Sequence, residues 1–198
     1  MSSTIFDKTD IAVITSALRG EIGDIIETWT LYRDLHDTCQ SLRSENIEID
    51  LKNQELLKIR VIKKKLKNQI ISALSELAEK KYGQITFSFA CNKLGCYQQD
   101  CITYQEFIKA NDFKSQRNEF ISHKNLPPKF EDWKGEYKIS NLTIVKAIAK
   151  AIILMKNIDK EILGPEFNFM WHTTRKYRYN YTMSGKVKHI LLPYKQFG

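Results

Sequence analysis

The sequence predicts an all-α fold followed by a short C-terminal β-hairpin or an irregular basic tail. Apolar residues recur at steps of three and four along four segments of the 198-residue chain, and this is the period of a helix. Alternation with a period of two appears only near the C-terminus. We therefore predict a helical bundle over residues 1–165 and a basic, aromatic extension over residues 166–198. A chain of this length can bury a core without disulfides or metals.

The first and last of these helices have the clearest apolar stripes. The first runs from Ile11 to about Cys39, and Trp29 and His36 are interpreted as packing residues. The last starts after a cap at Ser140 or Asn141 and ends at Gly164-Pro165.

The second helix, from about Leu51 to Lys81, carries an apolar stripe that includes Ile62 and a run of positive charge. Six of the ten residues from 58 to 67 are lysine or arginine. The run is either a solvated helix face or a ridge that contacts phosphates. In the second case Lys63 and Lys64 are candidate RNA-binding residues.

Residues 85–100 are predicted to be irregular or briefly extended. Three cysteines in this region, Cys91, Cys96 and Cys101, have the spacing C-x4-C-x4-C. No nearby histidine completes a tetrahedral zinc set, so we expect reduced, partly buried thiols, no metal site and no cofactor. A metal-dependent enzyme or regulator is the weaker alternative.

The third helix is expected to start at a capping box, Thr103 to Glu106, and to be interrupted or re-capped at Asn111-Asp112. It ends in the strip Arg117-Asn118-Glu119-Phe120-Ile121-Ser122-His123-Lys124-Asn125, because Pro127-Pro128 follows.

Most of the net charge lies in the tail. From Phe167 onward there are six Lys or Arg and no Asp or Glu, which is +6 of the formal +8. Residues 175–181 alternate tyrosine with polar residues and predict a strand, with a turn at Ser184-Gly185 and a return strand at 187–192. The hairpin is either packed at the edge of the bundle or binds nucleic acid. In the second case its RNA-binding candidates are Arg175, Lys176 and Arg178.

The charge balance, with a pI near 9.2, favours polyanions as partners. RNA is the first expectation and an anionic membrane surface the second. No run of about 18 apolar residues and no basic leader with an apolar core appears, so we expect a cytoplasmic protein that does not enter the membrane.

The strip from Arg117 to Asn125 contains the groups that metal-independent RNA cleavage needs. In that reaction the 2′-hydroxyl attacks the neighbouring phosphorus and leaves a 2′,3′-cyclic phosphate. His123 can move a proton near neutral pH, and Arg117 can hold phosphate oxygens with two hydrogen bonds. Asn118 can orient the phosphate or the 2′-hydroxyl, and Lys124 adds charge.

Arg117 and His123 do not share a face of a straight helix. Six residues leave them roughly 120° apart around the axis and about 9 Å apart along it. Either the helix frays before Pro127, or the site is composite across a two-fold dimer, which would bring together two histidines and two arginines. For His123 alone, an interaction with the dipole at a helix C-terminus is the structural alternative.

The segment Arg-Asn-Glu-Phe-Ile-Ser-His-Lys-Asn resembles the Arg-x(4–6)-His signature of the HEPN superfamily, and in particular the branch of abortive-infection type U proteins. The resemblance implies an up-and-down bundle of four to five helices and a homodimer with a shared cleft. It also implies a metal-independent endoribonuclease in a toxin–antitoxin or phage-defence setting, with a possible antitoxin or regulatory partner. Arg117, Asn118 and His123 are the matching residues. The alternative is a non-catalytic RNA- or partner-binding helical protein of the same fold.

Overall fold

The computed structural model describes residues 8–44, 49–79, 85–122, 139–167, 170–172 and 178–180. This part of the chain contains six α-helices and two short strands, and the all-α class is confirmed. The helices are α1 Lys8–Ser44, α2 Ile49–Leu77, α3 Phe87–Leu94, α4 Gln98–Ala110, α5 Phe113–Ser122 and α6 Asn141–Leu163. None of the helices described is both long enough and apolar enough to cross a bilayer.

The ends of α6 lie where the sequence predicts them. The Ser140 hydroxyl accepts a hydrogen bond from the Thr143 amide at 3.1 Å, which satisfies one of the free donors of the first turn. At the other end Gly164 has a φ of +99°, a conformation that favours glycine. The predicted cap and stop of this helix are confirmed.

The prediction for residues 85–100 is wrong, because most of this region is helical. Thr86 caps α3 by accepting a hydrogen bond from the Phe89 amide at 3.2 Å. Gly95, with a φ of +69°, ends the helix in the left-handed conformation. A two-turn helix is too short to show a clear apolar period, although both of its caps are visible in the sequence.

The predicted capping box is also wrong, whereas the predicted break is confirmed. Helix α4 begins at Gln98, so Thr103 lies inside it and its hydroxyl donates to the Gln99 carbonyl at 2.9 Å. The helical run is interrupted at Asn111 and Asp112, where Asp112 has a φ of +57°, and it resumes as α5.

Strands β1 (Met170–His172) and β2 (Arg178–Asn180) pair antiparallel, with His172 opposite Arg178. The structure therefore pairs the predicted strand with a segment that precedes it in the chain. The predicted turn at Ser184-Gly185 and the return strand at 187–192 lie outside the described residues.

Long helix α2 packs against α1, α5 and α6. Helices α1 and α6 run in opposite directions, because Arg19 contacts Asp159 at 3.0 Å and the Tyr32 hydroxyl donates to Asn141 at 3.2 Å. Buried apolar side chains of α1, α2, α3, α4 and α6 form one core. Helix α2 takes part in two polar regions: its C-terminal end leads to Glu79, and its middle contains Lys63 and Lys67.

Candidate functional site

One face of α5 is buried and carries the first residue of the predicted catalytic strip. Phe113, Gln116 and Arg117 lie at helical steps of three and four, and their exposed fractions are 0%, 3% and 9%. Asn118 is exposed beside them. The helix therefore directs Arg117 into the protein and Asn118 toward solvent.

Arg117 forms a buried ion pair with Glu79, which lies two residues after the end of α2. Its Nη1 is 2.5 Å from Glu79 Oε1, and the two side chains are 11% and 10% exposed. Arg117 Nε is buried, and no residue in the described part of the chain accepts a hydrogen bond from it. A cation this deeply placed needs an opposite charge, and Glu79 supplies one.

Gln116, the neighbour of Arg117, binds the chain on the far side of the segment that contains His123. Its Oε1 accepts a hydrogen bond from the buried Ile139 amide at 3.1 Å. The residues that precede and follow positions 123–138 are therefore held against each other. The contact joins α5 to the chain that leads into α6.

The structure places only part of the predicted set of site residues. Arg117 and Asn118 lie on α5, and Arg178 lies in β2. Lys63 and Lys64 lie on α2. The remaining members, His123, Lys124, Arg175 and Lys176, lie outside the described residues.

A second polar region, which we call the α1–α2 pocket, contains the predicted RNA-binding residues Lys63 and Lys64. It has a volume of about 630 Å³. Its lining combines cationic, amide and apolar side chains: Tyr32, His36, Cys39, Gln40, Arg43, Asn53, Leu56, Leu57, Arg60, Lys63, Lys64 and Lys67. Within the described ranges this lining contains five cationic side chains and no carboxylate.

Lys63 connects the two walls of the α1–α2 pocket. Its Nζ is 3.0 Å from His36 Nδ1, so the ammonium donates and the imidazole nitrogen accepts. The same Nζ is 5.2 Å from the centroid of the Tyr32 ring, which stacks on Trp29. His36, expected to pack at the boundary of the core, is exposed and belongs to the pocket, whereas Trp29 is buried as predicted.

Lys67 forms the deepest cationic part of the α1–α2 pocket and is only 7% exposed. Burial, together with the neighbouring Lys63 cation, lowers the pKa of Lys67 to about 8. Burial also lowers the pKa of Lys64. Ile62, which the sequence places in the buried stripe, is 45% exposed instead, because the face that contains Lys63 and Lys67 is the one turned toward α1.

The cysteines do not form a third polar centre in the region that is described. Cys91 and Cys101 are buried, and a hydrogen bond from the Cys91 thiol to Cys101, together with burial, raises the pKa of the Cys91 thiol. A thiol held protonated in this way is a poor nucleophile and a poor metal ligand. No group of three or more His, Cys, Asp or Glu side chains within the described ranges is placed to hold a metal ion.

No protein-family model matches the chain, and no curated protein or solved structure is significantly similar to it.

Two features of these regions were not predicted from the sequence, namely the pairing of Glu79 with Arg117 and the burial of Lys67. Glu79 follows the C-terminal end of α2, where the helix dipole disfavours an anion, and this unfavourable position was the available signal. Lys67 lies three and four residues before Ile70 and Ile71, on the buried face. A cation at helical steps from these buried isoleucines was the available signal that Lys67 is buried.

Proposed function

We propose that this chain is a metal-independent endoribonuclease of the HEPN type. In this proposal Arg117 stabilises the charge that develops on the phosphate, His123 moves the proton and Asn118 orients the reacting groups. The 2′-hydroxyl attacks phosphorus and the bond to the 5′-oxygen breaks. The products carry a 2′,3′-cyclic phosphate and a 5′-hydroxyl.

The observation that carries the proposal is the Arg117–His123 strip at the end of α5, in which Arg117 is held by Glu79. The ion pair uses Nη1, and a guanidinium has five N–H donors, so donors remain for a phosphate oxygen. A carboxylate that holds one edge of an arginine also limits its rotamers, which is what a positioned electrostatic group requires.

Further parts of the proposal follow from the family resemblance. They are an up-and-down bundle, a homodimer whose two strips share one cleft, and a cytoplasmic toxin or phage-defence effector restrained by an antitoxin or another regulatory partner. RNA would be held by Lys124 within the strip and by cations outside it: Lys63, Lys64, Arg175, Lys176 and Arg178.

The burial of Arg117 supports a second candidate, a non-catalytic RNA- or partner-binding helical protein. Here the pair with Glu79 would be a structural ion pair like that between Arg19 and Asp159, whose side chains are 16% and 1% exposed. Binding would depend on the basic residues and not on His123. It would weaken steeply with salt and produce no cleavage.

The test is cleavage of total RNA and of a tRNA pool by purified protein in excess EDTA. Wild type is compared with His123→Ala, and His189→Ala serves as a matched control because it removes a histidine outside the strip. We expect cleavage by wild type and by His189→Ala, and none by a folded His123→Ala variant. Equal cleavage by all three would overturn the proposal. Salt-sensitive binding without cleavage would favour the second candidate.

A further inference from the structure

Helix α4 holds the end of α2 from which Glu79 extends. The last carbonyls of an α-helix have no partner within the helix and need donors from elsewhere. The Tyr104 hydroxyl donates to the Leu74 carbonyl at 3.0 Å, and Gln105 Nε2 donates to the Ala78 carbonyl at 3.0 Å. Two neighbouring residues of α4 thus bind two carbonyls at the end of α2, and the second of these carbonyls lies one residue before Glu79.

The backbone at Glu79 is also held by its own chain. The Glu79 amide donates to the Glu76 carbonyl at 3.0 Å, and the Ala78 amide donates to the Ser75 carbonyl at 3.2 Å. Bonds of this length in sequence tighten the last turn of a helix. Together with the Gln105 contact they fix the chain from which the carboxylate projects. The position of the carboxylate therefore depends on α2 and α4, whereas the guanidinium that it binds belongs to α5.

The backbone next to Arg117 is held from the opposite side. The Gln116 amide donates to the carbonyl of Asp112, where α5 begins, at 3.0 Å. The Gln116 side chain accepts a hydrogen bond from the Ile139 amide at 3.1 Å. The ion pair between Arg117 and Glu79 consequently joins two parts of the protein that are each held by hydrogen bonds of their own.

The position of Glu79 is unfavourable for a carboxylate in two respects. It follows the C-terminal end of α2, where the helix dipole disfavours an anion, and its side chain is only 10% exposed. Replacing a buried ion pair by apolar residues is often neutral or stabilising, so stability alone is a weak reason for such a pair. Arrangements that break local rules in this way are expected at functional sites.

We propose that Glu79 and Gln105 are positioning residues for Arg117, an inference that rests on the proposed ribonuclease function. Gln105 fixes the chain at Ala78, and Glu79 binds Nη1 and holds the guanidinium in one orientation toward the phosphate. Neither side chain contacts the RNA. A donor that is already oriented needs no rearrangement when charge develops on the phosphate. Loss of either residue should therefore slow the chemical step and leave RNA binding almost unchanged.

The experiment measures the single-turnover cleavage rate at saturating RNA in EDTA, and the Kd for RNA separately. Glu79→Gln keeps the size of the side chain but removes its charge, and it should lower the rate about tenfold or more. Glu76→Gln, which changes an exposed carboxylate in the last turn of α2, is the matched control and should cleave as wild type does. The Kd should stay within about twofold of wild type in both variants.

Gln105 is tested in the same assay. Gln105→Ala removes the hydrogen bond to the Ala78 carbonyl and should lower the cleavage rate about threefold or more, with the Kd for RNA unchanged. Gln99→Ala removes an exposed glutamine side chain of the same helix and should have no effect on the rate. Urea denaturation of each variant establishes that it is folded under the assay conditions.

Double variants separate positioning from a purely structural role. If Glu79 and Gln105 act through Arg117, then in the Arg117→Lys background Glu79→Gln or Gln105→Ala should change the rate by less than about twofold. A purely structural role gives the same factor in both backgrounds. If the variant that combines Glu79→Gln with Arg117→Lys is unfolded, the one that contains Gln105→Ala decides.

Undiminished cleavage by a folded Glu79→Gln or Gln105→Ala variant would overturn the assignment of that residue. Equal factors in the two backgrounds would overturn both assignments. Either result, obtained beside an active wild type, leaves the ribonuclease function standing. Absence of cleavage by wild type would instead overturn the proposed function, and this inference with it.

Discussion

Positively charged side chains have different surroundings in the Arg117–Glu79 pair and in the α1–α2 pocket. Arg117 lies opposite a carboxylate, and both members of its pair with Glu79 are buried. The α1–α2 pocket gathers five cations in one lining that has no carboxylate among its described members. Both regions use helix α2, so the difference comes from local arrangement and not from the overall charge of +8.

This difference separates a positioned group from a binding surface. Arg117 is oriented by the carboxylate of Glu79 through Nη1, and the other N–H groups of its guanidinium are further donors. The cations of the α1–α2 pocket instead line a concave volume of about 630 Å³. The proposed chemical step therefore concerns Arg117, and the pocket is a separate basic surface.

The largest effect should come from removing the carboxylate beside Arg117. Glu79→Ala leaves a buried cation without its partner and should lower the free energy of unfolding by about 3 kcal/mol in urea denaturation. Glu76→Ala, which changes an exposed carboxylate in the last turn of α2, should change the free energy of unfolding by less than about 0.5 kcal/mol. The double variant Glu79→Ala/Arg117→Met should be more stable than Glu79→Ala alone. Strictly additive losses would show that the pair is not coupled.

Replacing Lys67 in the α1–α2 pocket should have a smaller effect on the free energy of unfolding, and of the opposite sign. The pKa of Lys67 is lowered to about 8 in the folded protein, so between about pH 8 and its ordinary value of 10.5 the unfolded chain binds more protons. The contribution of Lys67 to stability therefore rises with pH across this window. Lys67→Met should raise the free energy of unfolding by about 1–2 kcal/mol at pH 7, and this gain should shrink as the pH approaches 10.5. A gain that does not vary with pH would contradict the assigned cause.

A carboxylate added to the lining of the α1–α2 pocket should place an anion near its cations, as Glu79 does for Arg117. Gln40→Glu should raise the free energy of unfolding by about 0.5 kcal/mol at low ionic strength, because the new charge is partly exposed. The gain should disappear in 0.5 M NaCl, where exposed charges are screened. Gln69→Glu, at an exposed position on α2 outside the lining, is the control. An equal gain in that variant would indicate a general charge effect.

The smallest effect on stability is expected at Asn118. Asn118→Ala changes an exposed side chain, so the free energy of unfolding should move by less than about 0.5 kcal/mol. If Asn118 orients the reacting groups, the cleavage rate should nevertheless fall about tenfold or more. Ser115→Ala is a matched exposed position on α5. A rate equal to wild type would remove Asn118 from the site.

Periodicity predicts the long helices because packing of an apolar face dominates their stability. It failed for α3, where eight residues between Thr86 and Gly95 are too few to reveal a period. The capping-box pattern misplaced the start of α4, because the Thr103 hydroxyl donates to a carbonyl within the helix and caps nothing. Local capping signals identify candidate boundaries, and tertiary packing decides which of them are used.

The candidate site was predictable only in part, for a related reason. Arg117 and Asn118 were identified by their spacing to His123, which is local in sequence. Glu79 is 38 residues away from Arg117, and only the packing of α5 on the end of α2 brings the two together. Lys67 was identified as one of the six cations of α2, but its burial was not predicted, because periodicity marks apolar residues and the burial depends on the position of α1.

The most direct test of the proposed function is the single-turnover cleavage rate at saturating RNA, in EDTA, for wild type and Arg117→Lys. Lysine retains the charge beside Glu79 but loses the two-pronged contact with phosphate. We expect the rate to fall about a hundredfold or more while the Kd for RNA changes by less than about threefold. An unchanged rate, or a weaker Kd that accounts for all of the loss, would contradict a role for Arg117 in the chemical step.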